Sequence, residues 1–163
     1  MPALIGLAGV LVGALVTAGV TYLGDRNHRI EENRTARRLV ANEIHTDVHN
    51  LMYVWLHGAV GKGHQTRTAE WLGEGPTLAR YVDESEWSTL SVFYDNLEFV
   101  EPSLPAHGCV RPNTWRLAFT TAKYGDAALT ALGTRPVPLG AASPVPELGK
   151  NTSNGCRAGP LSP

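Results

Sequence analysis

Residues 36–57 read ARRLVANEIHTDVHNLMYVWLH. Ala36, Val40, Ile44, Val48, Leu51 and Trp55 recur at steps of three and four, which is one apolar stripe along an α-helix. No proline lies between residues 3 and 56, so nothing in the backbone chemistry stops this helix from running far upstream. Gly58, Gly61 and Gly63 are expected to end it.

Downstream, the same periodicity returns in shorter pieces. Residues 66–72 and 76–81 each suit a short helix, the second opened by Pro76. Asp83, with Glu86 three positions on, has the form of a capping box. Trp87, Leu90, Tyr94 and Leu97 then continue one face until Pro102 and Pro105. Pro112 can open a last helix, with Trp115, Ala118, Phe119, Ala122, Leu129 and Leu132 on its apolar side and Gly133 as its C-cap. No segment alternates apolar and polar residues as a half-buried strand would. The expected class is all-α, a small antiparallel helical bundle with the tryptophans and tyrosines in its core.

Residues 3–24 carry no charge. About 20 apolar residues cross the roughly 30 Å of a bilayer, so this run is expected to be a transmembrane anchor. Arg26, Arg29, Arg34, Arg37 and Arg38 follow at once, as a stop-transfer flank that can also meet lipid headgroups. They place the N-terminus outside and the remainder in the cytoplasm, as a single-pass protein of the inner (plasma) membrane. Gly9, Gly13 and Thr17 lie four apart on one face, a spacing that allows close helix packing and a homodimer through the anchor. The last 31 residues hold six prolines, five glycines and no aromatic, a composition that cannot offset the entropy of ordering. Three parts are therefore expected: anchor 1–24, helical domain 25–132 and disordered tail 133–163.

The formal net charge of -1 gives no bulk attraction to nucleic acid. Two cysteines exclude a disulfide-rich scaffold.

Among chemistry-bearing residues, His45 and His49 are four apart and emerge on one helix face, which suits a divalent metal. They point away from the apolar stripe, Thr46 stands where a zincin needs glutamate, and no matching second pair exists. A solvated face is the expectation, with no cofactor. Asp47 sits nearer the stripe and is expected to pair with Arg80 or Arg116. Residues 58–63, GAVGKG, lack the outer glycine and the hydroxyl of a phosphate loop and read as a connector. Cys109 lies beside His107 in a loop; in a cytoplasmic domain it stays reduced, and outside it can pair with Cys156.

The segments Ala36-Arg37-Arg38-Leu39-Val40 and Asn42-Glu43-Ile44, then Trp71, Leu78-Ala79, Glu86-Trp87-Ser88-Thr89-Leu90, Tyr94 and Leu97 carry a resemblance. Over residues 3–100 the chain resembles single-pass, membrane-anchored helical proteins of actinobacteria. That resemblance implies an architecture and a bacterial host, and no activity.

No nucleophile, base and orienting group come together in the sequence. The expected function is that of a membrane-tethered module that binds another protein or itself, and not an enzyme. The alternatives are a membrane-anchored metal binder or enzyme using His45 and His49, and a small phage-type membrane protein.

Overall fold

A computed structural model describes residues 2–61, 66–106 and 108–137, with side chains described from residue 13 on, Pro112 excepted. Four α-helices dominate: α1 (Pro2–His57), α2 (Ala69–Leu78), α3 (Glu84–Val100) and α4 (Pro112–Ala131). Two short strands, β1 (Ala59–Val60) and β2 (Gly108–Cys109), pair antiparallel.

Helix α1 is 56 residues long and unbroken, about 84 Å at 1.5 Å per residue. It ends at Gly58, whose φ of 61° lies in the left-handed region that glycine enters without cost. The Gly58 N–H donates to the Val54 carbonyl at 2.9 Å. The expected connector after it is in part a strand: Ala59 faces Cys109 and Val60 faces Gly108. Lys62 and Gly63 lie outside the described residues.

Only the second half of α1 enters the core. Ala36, Val40, Ile44, Val48 and Leu51 are fully buried and Trp55 nearly so. Consecutive helices run antiparallel. Glu43 and Asp47 meet residues 70–71 and 67 in descending order, which sets α2 against α1. Arg37 meets Glu86 and Glu43 meets Tyr94, so α3 runs along α1 in the same direction. Trp55 packs on Trp115 and Phe119 at the far end, which brings α4 back down.

One contact sets how closely α1, α3 and α4 approach. Gly125 of α4 has no room for a side chain: a Cβ there would lie 2.3 Å from Val48 Cγ2 and 2.9 Å from Phe93 Cε2. Helix α3 starts as its sequence dictates. Asp83 accepts from the Glu86 N–H, and the Glu86 side chain accepts from the Asp83 N–H. The two short helices expected over 66–81 are one helix, α2, with Pro76 inside it. The carbonyl that loses its partner to Pro76 belongs to Leu72, whose exposure leaves it open to water.

Two expected boundaries change. Among the described residues, no helix is long and apolar enough to cross a membrane. The single-pass inner-membrane localisation, with its outside N-terminus and cytoplasmic domain, is therefore corrected. At the other end, order continues past Leu132. Gly133 takes φ 72°, Thr134 closes back on the Leu129 carbonyl through both its N–H and its hydroxyl, and Val137 is buried. The tail from 138 onward lies outside the described residues.

Candidate functional site

The chemistry-bearing residues sort into a buried acid cluster and an exposed helical arm.

Glu43 and Asp47 lie one turn apart on α1, both buried. Helix α2 begins without a side-chain cap of its own, since Thr68 makes no capping bond. Glu43 supplies the cap from another helix. It accepts from the Glu70 N–H at 2.8 Å and the Trp71 N–H at 3.1 Å, the orphan donors that every helix start exposes. It accepts a third bond from the Tyr94 hydroxyl at 2.8 Å. Burial, and next the adjacent Glu43, hold Tyr94 well above its ordinary pKa, so it stays a donor. Trp71 stacks on Tyr94 with rings 10° from parallel and centroids 4.5 Å apart, and on Trp87 at 4.9 Å.

Asp47 is fully buried. One oxygen accepts from the Arg67 N–H at 3.1 Å; the other, Oδ2, has no hydrogen-bond partner. The expected pairing with Arg80 or Arg116 does not form, because the Arg67 backbone reaches the carboxyl first. Burial pushes its pKa from 3.8 up to about 7, against the Arg67 N–H bond, with Glu43 and Glu101 adding repulsion. The folded state therefore holds this proton more tightly than the unfolded chain. Stability is expected to be highest below pH 4 for this group and to fall as pH rises to about 7, by up to about 4 kcal/mol. Urea denaturation at a series of pH values measures the slope, and Asp47→Asn is expected to flatten it.

His45 and His49 stand on the exposed face, with ring centroids 4.6 Å apart and edge-on. Among the described residues, no group of three His, Cys, Asp or Glu side chains could hold a metal ion. Cys109 is disulfide-bonded, contrary to the reduced thiol expected of a cytoplasmic loop. The chain's other cysteine, Cys156, and its neighbour His107 lie outside the described residues. Thiol alkylation under denaturing conditions without reductant is expected to leave Cys109 unlabelled and to label it after reduction.

The arm is the first half of α1. Leu15, Val16, Val20, Tyr22 and Leu23 are 58–72% exposed, and Ile30 is 46% exposed. Outside the arm the large exposed apolar residues, such as Leu72 and Phe99, are spread over the four helices. Of the expected helix-packing residues, Gly13 has open space around it. Thr17 donates its hydroxyl to the Gly13 carbonyl at 2.9 Å, so that donor is used within the helix. Gly9 lies where side chains are outside the described residues. Of the five arginines, Arg37 turns to the bundle and bonds Glu86 at 2.9 Å and Asn33 at 3.2 Å. Arg34 pairs with Glu31 at 3.3 Å. Arg26 and Arg29 line a shallow cleft of about 320 Å³ between α1 and Tyr81. Arg38 is exposed.

Sequence reasoning placed Asp47 near the core edge and missed Glu43 as a cap. The available signal was a glutamate adjacent to the stripe residue Ile44.

No protein-family profile, curated protein or solved structure matches the chain. Its class is set by the fold alone: a small helical domain with one helix extended beyond it.

Proposed function

We propose that this chain is a protein-interaction module and not an enzyme. The folded half of α1, with α2, α3 and α4, forms a base, and the exposed half of α1 is the binding arm. The observation that carries this reading is the continuous apolar surface of the arm, Leu15 to Leu23, on a helix that the bundle nucleates and holds. A helix this short of internal contacts loses little by being covered, and burying its side chains recovers about 25 cal/mol per Å² of apolar area. Helix-in-groove and helix-on-helix recognition both use such a face.

The test places a photo-crosslinking residue at Val20 and, as a control, at Leu72, each in the full chain in its host cell. Adducts at Val20 and none at Leu72 are expected. Equal yields at the two positions, or no adduct at Val20, overturn the reading.

A further inference from the structure

We infer that the arm's occupant is a second copy of this chain, with the two arms parallel and in register. The inference rests on the binding-arm reading and adds the partner's identity and geometry.

The exposed residues Val16, Val20, Leu23, Asn27 and Ile30 are spaced four, three, four and three apart. That is a 3.5-residue repeat, the seam of a two-stranded coiled coil, with Val20 and Asn27 at a positions and Val16, Leu23 and Ile30 at d. Gly13 falls at the preceding a position, with open space around it. Three observations single out a second copy in parallel. The first is Asn27: a lone asparagine at an a position pairs with its own equivalent and fixes both register and two-strandedness. The second is charge. Arg26 stands at g and Glu31 at the following e, five residues on, so each Arg26 meets the other copy's Glu31 in a parallel pair, twice by symmetry. Both side chains are on the exposed part of α1.

The third is direction. At 100° per residue the seam lies about 90° round the helix from the stripe that enters the core. Tyr81 closes over α1 beside Tyr22, Arg29 and Asn33, and the edge of that cleft reaches Arg26 and Ile30 while Val16, Val20, Leu23 and Asn27 lie outside it. The seam ends where it must. After Ile30 the next a and d positions are Arg34 and Arg37, and Arg37 is already bonded to Glu86.

The experiment measures the mass of the full chain in solution, then of Ile30→Asp, Arg26→Glu, Glu31→Arg and the double reversal Arg26→Glu/Glu31→Arg. The wild-type chain is expected to have the mass of two copies, and Ile30→Asp that of one, with bundle unfolding unchanged because Ile30 is outside the core. Each single reversal is expected to raise the dimer dissociation constant about five-fold and the double reversal to restore it. Oxidised Asn27→Cys is expected to give chains linked through the introduced cysteines at position 27, a product that antiparallel arms cannot form. A one-copy mass for the wild-type chain, or a dimer that ignores Ile30→Asp and is not restored by the double reversal, overturns the inference. The Val20 adduct separates the two failures: an adduct to a different protein removes the second copy alone, and no adduct removes the binding arm as well.

Discussion

Gly125→Ala is expected to destabilise the domain by about 2–3 kcal/mol, and Gly125→Leu to prevent it from folding. Alanine in a helix interior normally gains about 1 kcal/mol over glycine. Here the added Cβ would sit 2.3 Å from Val48 Cγ2 and 2.9 and 3.2 Å from two ring carbons of Phe93. Neither neighbour can yield. Val48 is fully buried on α1 and, being β-branched, is held to essentially one rotamer in a helix. Phe93 is fully buried on α3 and packs edge-on against Tyr94 at 5.0 Å. The helices themselves must therefore separate, and every contact along α1 and α4 loosens with them. Urea denaturation checks the loss. Val48→Ala combined with Gly125→Ala is expected to cost less than the two single changes summed, because it removes the methyl that clashes. A Gly125→Ala protein as stable as the parent would show that α4 does not approach α1 this closely.

Glu43→Ala is expected to cost about 3–4 kcal/mol. The change strands three donors at once: the Glu70 N–H, the Trp71 N–H and the Tyr94 hydroxyl. Each buried donor left without a partner costs about 1–3 kcal/mol, and water that enters the gap recovers part of it. Glu43→Gln is expected to cost about half as much. Its carbonyl oxygen can keep Trp71 and Tyr94, but its amide then points a donor at the Glu70 N–H. Tyr94→Phe removes one bond and is expected to cost about 1 kcal/mol. The loss is local before it is global. Helix α2 has 10 residues, too few to persist unsupported in water, and Glu43 is its only N-terminal cap among the described residues. Glu43→Ala is therefore expected to release α2 first. Faster proteolysis near Arg67 and altered Trp71 fluorescence, at denaturant concentrations that leave α3 and α4 folded, would show it.

The two predictions mark where local sequence stops being informative. The stripe from Ala36 to Trp55, the Asp83–Glu86 capping box, the Pro112 start and the Gly58 and Gly133 ends were all legible. Each rests on residues within four positions of one another, and the backbone geometry of a helix places such residues together whatever surrounds them. His45 and His49 were legible as an exposed pair for the same reason. Asp47 was legible as an edge residue, and its partner was not, because the choice between an arginine side chain and the Arg67 backbone depends on where the chain before α2 runs.

The residues that position the site were silent. Gly125 carries no signal of its own in the sequence; its role exists only because Val48, 77 positions earlier, faces it. Glu43 became a cap because α2 begins beside it. Arg37 read as part of a basic flank and is held by Glu86, 49 positions away. The uncharged run before Asp25 was read as a membrane anchor, and among the described residues no helix is long and apolar enough to cross a membrane. By itself the sequence determined which segments are helical, where most of them start and stop, and which face of each is apolar, because those properties follow from short-range sterics and periodicity. Only the tertiary structure decided which helix caps which, how closely they approach, and which apolar face is left uncovered, because those depend on contacts between residues far apart in the chain.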